Sequence, residues 1–103
     1  MSDYDLPTKF DRMIHQPSRL AIMAMLAGCK SADFTYLYRT IGLTKGTLSK
    51  HLSYLEERGY IEIKKRFKGK VPNTSASLTP YGRRAYQQYR QQYREFGKIM
   101  GED

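Results

Sequence analysis

Residues 44–59, with the sequence TKGTLSKHLSYLEERG, carry the signals of a complete helix. Thr44 is a favourable N-cap, because its hydroxyl can accept a hydrogen bond from an otherwise unpaired amide of the first turn. Gly59 suits the position just past the end, where the backbone adopts a left-handed conformation. The helix would pack along one apolar stripe, formed by Leu48, Leu52 and Leu55.

The opposite side of this helix carries short or cationic side chains near its N-terminal end. They are Thr44, Lys45, Thr47, Ser49, Lys50 and His51. Most of them can donate hydrogen bonds, which suits the major groove of DNA, and Lys50 could reach either a guanine edge or a phosphate. A solvated amphipathic helix would show the same pattern, and packing within the motif could also account for Ser49 and His51.

The positive charge of the chain is concentrated in and after this helix. The 103 residues include 18 Lys and Arg against 10 Asp and Glu, a formal net charge of +8. Residues 44–73 contain eight basic and three acidic residues, whereas residues 1–43 contain five and four. A localised cationic surface of this kind is expected of a nucleic-acid-binding protein.

Length and composition narrow the class of protein. The chain is long enough for one domain, with a core over about residues 8–80 and a C-terminal helix over about 80–100. Its single cysteine, Cys29, excludes an internal disulfide and fits a reducing cytoplasm. The sequence shows no signal peptide and no apolar run of the roughly 18–20 residues that a membrane span needs. It predicts a cytoplasmic protein with no membrane partner.

No motif in the sequence predicts catalysis. There is no phosphate-binding loop, no nucleophile motif and no evident pair of carboxylates. Cys29, His15 and His51 do not have the spacing of metal ligands. We therefore predict neither an enzyme nor a protein with a metal or another cofactor.

The residues before Thr44 predict three further helices. They cover residues 6–15, then 17–27 from Pro17, then a short helix to residue 41 that Ser31 or Asp33 can cap. A tight turn at Gly42 leads from the short helix into the helix at Thr44. Two short helices joined by a glycine-containing turn are typical of a helix-turn-helix.

The residues after Gly59 predict a basic β-hairpin. Residues 60–67 alternate roughly between apolar and polar, residues 68–70 read as a turn, and residues 74–78 can return as the second strand. The cations that we expect to contact DNA from this hairpin are Lys64, Arg66, Lys68 and Lys70. Lys64 and Arg66 should share one face and Lys65 the other. A merely solvated hairpin is the alternative.

A long helix should follow, from Pro80 to about Met100, with an aromatic stripe at helical spacing. Because so small a domain offers this stripe little to pack on, we predict that the stripe and the helix over residues 6–14 together form a dimer interface. Its residues would be Leu6, Phe10, Met13, Tyr86, Tyr89, Tyr93 and Phe96. The stripe could alternatively be a stacking platform for single-stranded nucleic acid.

Several segments resemble the ArsR/MarR-like superfamily of small winged helix-turn-helix regulators. HQPSRL at residues 15–20, LTKGTLSKHL at 43–52 and LEERGYI at 55–61 resemble the arsenic-repressor type, and FKGK at 67–70 with LTPYGR at 78–83 resemble the multiple-antibiotic-resistance type. The resemblance covers residues 8–97. It implies an α+β, mostly α fold: a winged helix-turn-helix with a two-stranded β-wing and N- and C-terminal dimerisation helices. Metal-sensing members carry a cysteine pair on the helix that ends here at Ile41, and this chain has none there.

Taken with the residues themselves, the resemblance predicts a sequence-specific double-stranded DNA-binding transcriptional regulator. We expect a homodimer that binds a near-palindromic operator. Repression is the more common outcome in this family, so we expect a repressor. A small-molecule effector, which the sequence does not identify, could also bind at the dimer interface. The alternatives are a winged-helix protein-interaction module and an RNA or single-strand binder, both without operator specificity.

Overall fold

The computed structural model describes residues 9–101 and shows four α-helices and a three-stranded antiparallel sheet. The elements are α1 (Pro17–Ala27), β1 (Ala32–Asp33), α2 (Phe34–Ile41), α3 (Lys45–Glu57), β2 (Ile61–Lys68), β3 (Val71–Leu78) and α4 (Pro80–Ile99). The strand order is β1-β3-β2. This is the winged helix-turn-helix fold that the sequence predicts. Within the described residues, no helix combines the length and apolar character needed to cross a membrane.

The core lies between α1, α2, α3 and one face of the sheet. Its buried members include Ile22, Met23 and Leu26 of α1, Leu37 of α2, Leu48 and Leu55 of α3, and Ile61 and Ala76 of the sheet. The leucine stripe of α3 is therefore buried as predicted. The opposite side of α3 is left in solvent.

Both ends of α3 match the signals read from the sequence. Thr44 accepts a hydrogen bond from the amide of Thr47 at 3.2 Å, and Gly59 has a φ of +78°. After the helix, the amides of Gly59 and Tyr60 donate to the carbonyls of Glu56 and Leu55 at 2.9 and 3.0 Å. This pair of bonds is the Schellman arrangement, which satisfies carbonyls that a helix end leaves unpaired.

The sheet differs from the predicted two-stranded wing in two ways. A third strand, β1, pairs with β3 at Ala32↔Ala76 and Asp33↔Ser75. The hairpin is also longer than predicted, since its turn holds only Gly69 and Lys70, and β3 begins at Val71. Pro72 fits inside β3 because β1 does not reach it, so that edge of the strand is open there.

The predicted N-terminal helix is not formed in the part of it that the structure describes. Residues 9–11 are irregular, residues 12–14 form a turn and residues 15–16 a bend. The amide of His15 donates to the Asp11 carbonyl at 2.7 Å. The Asp11 carboxylate accepts from the amide of Met13 at 2.8 Å, a local bond that competes with helix formation. Pro17 also keeps Gln16 extended, with φ −150° and ψ 129°. Leu6 lies outside the described residues.

Helix α4 begins directly on the corner between α3 and β2. Thr79 caps it by accepting from the amide of Gly82 at 2.9 Å, and its hydroxyl donates to the carbonyl of Gly59. A Cβ on Gly82 would lie 1.9 Å from the carbonyl oxygen of Tyr60, so only glycine allows this approach. The later turns of α4 contribute to the elongated shape, with principal extents of 60 × 25 × 21 Å.

Candidate nucleic-acid interface

The solvent-facing side of α3 is centred on Lys50. Helical geometry places Gly46, Ser53 and Glu57 beside Lys50, opposite the buried leucines, and all four are exposed. Thr47 and Ser49 border this face on its two sides and are exposed as well. The centre of this face therefore includes Gly46 and Ser53, which the sequence-based prediction omitted although helical periodicity could have identified them.

Two of the predicted residues make contacts within the domain. The hydroxyl of Thr44 accepts from the Thr47 amide and donates to Thr47 Oγ1 at 2.8 Å, so it is occupied by its capping role. The ammonium of Lys45 lies 5.6 Å from the ring centre of Tyr38 on α2. The exposed hydroxyl of Thr47 keeps its own proton available, since it accepts from Thr44.

His51 points toward α1 and is half-buried. Its Nδ1 lies 3.2 Å from Nη1 of Arg19. A guanidinium can only donate, so Nδ1 must accept and the ring proton must reside on Nε2. Burial, and then the positive charges of Arg19 and Lys50, lower the pKa of His51 below its ordinary value. His51 thus packs between α3 and α1 at the border of the solvent-facing side.

Arg19 joins three parts of the domain, and the sequence-based prediction missed it. Its Nε donates to the carbonyl of Met13 at 2.6 Å, and its guanidinium carbon lies 6.0 Å from the ring centre of Tyr54 on α3. Together with the contact to His51, these interactions fix α1, the N-terminal turn and α3 to one another. A cation within an otherwise apolar helix was the signal in the sequence.

The two faces of the wing carry different charges. Lys64, Arg66 and Lys68 share the face that also carries Glu62, as strand alternation requires. Lys64 forms an ion pair with Glu62 at 3.4 Å, and Lys68 forms one with Asp33 at 3.5 Å. Asp33 occupies the N-cap position of α2, but its side chain makes no capping bond there. Three of the four predicted wing cations therefore lie on the face that also holds acids.

Lys65 lies on the other face of the wing, in line with the core residues Ile61 and Ile63. It lines a groove of about 720 Å³ between the wing and α3, together with Ser49, Ser53 and Glu56. The sequence-based prediction left Lys65 out. The signal was present, because the isoleucines that pack on α3 identify which face of β2 is turned toward that helix.

The aromatic stripe of α4 is divided between the protein interior and the surface. Tyr89 is 2 % exposed, its hydroxyl lies 2.7 Å from Nδ1 of His15, and its ring contacts Phe10. Burial, followed by the influence of Tyr93, raises the pKa of Tyr89. Met13 and Tyr86 also pack partly against the core. Tyr89 is thus an internal residue rather than a surface one, contrary to its expected place in a dimer interface.

The outer end of α4 retains an apolar surface. Tyr93 is 55 % exposed, and Met100 is also exposed. Phe96 is half-buried, with its ring in edge contact with Phe10 at 5.7 Å. Among the predicted dimer-interface residues that the structure describes, Tyr93 is the most exposed.

These features agree with the comparison to known families. A model described as a winged helix DNA-binding domain matches residues 18–96. The chain belongs to this family. It therefore contains a winged helix DNA-binding domain, as the resemblance of its motifs predicts.

Individual relatives of this winged helix DNA-binding domain give a consistent result. An uncharacterised protein of Methanocaldococcus jannaschii is 42 % identical over 72 residues, which cover 69 % of this chain and 77 % of that protein. The structure of a transcriptional regulator homologue from Pyrococcus horikoshii OT3 superposes with a TM-score of 0.84 at 23 % identity, covering 91 % of this chain and 92 % of that one. A chain from Enterococcus faecalis V583 assigned to the MarR family gives 0.74 at 22 % identity, covering 87 % and 80 %. At these identities the two structures show a shared fold.

Proposed function

We propose that the protein is a homodimeric transcriptional regulator that binds a near-palindromic operator in double-stranded DNA and acts as a repressor. The observation that carries this proposal is the solvent-exposed side of α3 around Lys50, which lies beside the cationic wing. Its exposed side chains include the hydrogen-bond donors Lys50, Thr47, Ser49 and Ser53. Family membership supports DNA binding in general. Operator specificity, dimerisation and repression are our inferences.

Each part of this surface would have a distinct task. Lys50, Thr47, Ser49 and Ser53 would enter the major groove, where bases present a distinguishable pattern of donors and acceptors. Lys65 and the cations of the wing would contact phosphates, which fix orientation without reading sequence. An operator occupied in this way excludes polymerase if it overlaps a promoter.

A two-fold dimer would place two copies of α3 on successive major grooves, about 34 Å apart. The outer end of α4 supports this proposal, because Tyr93, Ile99 and Met100 are exposed apolar residues on one end of an elongated domain. A partner copy that covered them would bury apolar surface that is otherwise in water.

The test is fluorescence anisotropy with a labelled duplex from beside the protein's own gene, a scrambled duplex and a series of salt concentrations. We expect tight binding to the native duplex only. Lys50→Ala should weaken it, and the log–log salt slope should fall by roughly 0.9 if Lys50 contacts a phosphate. Arg84→Ala, which removes an exposed cation on α4, is the matched control.

Two results would contradict the proposal. Equal and weak binding to both duplexes, unchanged by Lys50→Ala, would favour a protein-interaction module that only tolerates DNA. Tighter binding to the separated single strands than to the duplex would favour an RNA or single-strand binder.

A cavity between α1 and α4 favours a second role, the binding of a small-molecule effector. It has a volume of about 580 Å³ and is lined by Leu20, Ala24, Tyr86, Tyr89 and Tyr93, with Arg90, Arg94 and Lys98 also present. Aromatic walls with nearby cations suit a small aromatic anion. Compounds of this class should raise the Tm of the wild type but not of Ala24→Phe, which fills the cavity. Equal shifts in both proteins would contradict effector binding at this place.

A further inference from the structure

The tip of the wing exposes large apolar side chains. Phe67 is 72 % exposed and Val71 is 65 % exposed, and Pro72 is exposed as well. None of the three belongs to the buried core or to the partly buried residues packed against it. A phenylalanine that is this exposed at the end of a projecting hairpin contributes little to the stability of the domain. It is therefore available to contact another molecule, and the residues around it indicate the chemistry of that molecule.

The register of the hairpin separates these side chains. Phe67 is directly opposite Pro72, on the face that also carries Lys65 and is turned toward α3. Val71 is opposite Lys68, on the other face. The turn that joins the strands has only Gly69 and Lys70, with Gly69 at φ +65°. The tip is therefore narrow. On the side that faces α3 it carries the ring of Phe67, with Pro72 directly opposite on the neighbouring strand.

The wing projects beyond the core by a distance comparable to the spacing of the DNA grooves. From Ile63, which still packs on the core, to Phe67 the strand advances by four residues, or roughly 13 Å. A major groove and the neighbouring minor groove are separated by half a helical turn, or about 17 Å along the axis. With α3 in the major groove, a hairpin of this length would bring its tip close to the neighbouring minor groove.

The charges around Phe67 indicate a polyanion rather than an apolar partner. Lys65, Arg66, Lys68 and Lys70 all lie within three residues of it in the sequence. Among described residues near the tip, the acid that contacts a wing cation is Asp33, and it does so on the opposite face from Phe67. Phosphates line both walls of the minor groove, and apolar side chains can enter between base steps at its floor.

We propose that Phe67, supported by Pro72, is a wedge that enters the minor groove beside the site read by α3 and partly unstacks one base step. The proposal deepens the proposed function and rests on it. It assigns to the wing a contact that depends on how easily a base step deforms, in addition to phosphate contacts.

The experiment uses the full chain and the duplex that wild-type protein enriches from a randomised pool. 2-Aminopurine replaces single adenines at successive positions on both sides of the enriched sequence. Wild-type protein should raise the 2-aminopurine fluorescence at one flanking step in each half-site, because unstacking relieves its quenching. Phe67→Ala should abolish this rise and weaken binding by about tenfold, within the range of base–aromatic contacts. Phe67→Leu should retain part of both effects.

Val71→Ala is the matched control, since it removes a similarly exposed apolar side chain from the other face of the same tip. A fluorescence rise that persists in Phe67→Ala, or an equal loss of binding in Val71→Ala, overturns the wedge. So does a change in oligomeric mass caused by Phe67→Ala, because it would assign the ring to a protein contact. If the wild type enriches no duplex at all, the proposed function itself fails.

Discussion

Arg19 and His51 form a hydrogen bond between α1 and α3 whose direction is fixed by their chemistry. Nη1 of Arg19 lies 3.2 Å from Nδ1 of His51, and only the imidazole can accept. The contact therefore requires a neutral His51 with its proton on Nε2. A protonated ring would place an N–H and a positive charge against a guanidinium.

Acid should weaken the fold through His51. Its pKa in the folded protein lies below the ordinary 6.5, so as the pH falls the unfolded chain takes up this proton first. The free energy of unfolding should therefore decrease as the pH falls from 6.5 through the folded pKa. His51→Asn keeps an acceptor near the Nδ1 position and cannot titrate. Urea denaturation at about pH 7.5 and about pH 5.5 should show a smaller loss in the variant; equal losses would rule out this role of His51.

Loss of the Arg19 donors should destabilise the domain. Arg19→Met keeps most of the apolar stem but removes the bonds to the Met13 carbonyl and to His51. We expect a loss of about 1–3 kcal/mol in the free energy of unfolding, because partly buried acceptors are left unpaired. Arg39→Met, at an exposed position of α2, should change it by less than about 0.5 kcal/mol. Similar losses in the two variants would show that Arg19 is not a structural link.

Two glycines should respond to alanine with opposite signs. Gly82→Ala would force a Cβ against the carbonyl of Tyr60, so we expect a loss of about 1–3 kcal/mol or more. A Cβ on Gly46 meets no atom within 4 Å, so Gly46→Ala should gain about 0.5–1 kcal/mol from helix propensity. Thermal and urea unfolding measure both changes. A tolerated Gly82→Ala would contradict the close contact between α4 and Tyr60.

The dimer should depend on the outer end of α4. Tyr93→Glu would place a charge in the proposed interface and should weaken dimerisation by at least about tenfold, since burial of an unpaired charge is unfavourable. Tyr36→Glu alters a tyrosine of α2 that is 60 % exposed and should leave the dimer intact. Sedimentation equilibrium measures the dissociation constant. Equal effects of the two substitutions, or a wild type that is monomeric at all concentrations, would contradict the proposed dimer.

The elements that the sequence predicts well have local signals. Thr44, the leucine stripe and Gly59 define α3 because capping, periodicity and a left-handed end act within a few residues of one another. β1 could not be predicted in this way, since a strand of two residues has no periodicity and exists only through its pairing with Ala76 and Ser75. The turn at Asp11 replaced a helix because one carboxylate bonded nearby amides instead.

The site was predicted less completely, because the directions of its side chains are set by distant residues. Tyr89 is internal since Phe10 and His15, which precede it by more than 70 residues, cover it. Lys65 faces the groove beside α3 because Ile61 and Ile63 fix the orientation of β2. From the sequence, His51 could either face the solvent or pack within the domain. The position of Arg19, which the sequence does not give, shows that one side of its ring contacts α1.

The strand β1 has a mechanical consequence. It directly precedes α2 and pairs with β3, so the helix-turn-helix and the wing are joined through one sheet. Because β1 pairs with β3 at Ala76 and Ser75, it holds the base of the wing against α2, and we expect the offset between α3 and the wing to vary little. If both elements contact DNA as proposed, the affinity of the domain for a duplex would depend on the helical twist of that duplex. Occupancy of an operator would then respond to the torsional stress of the chromosome as well as to the order of its bases.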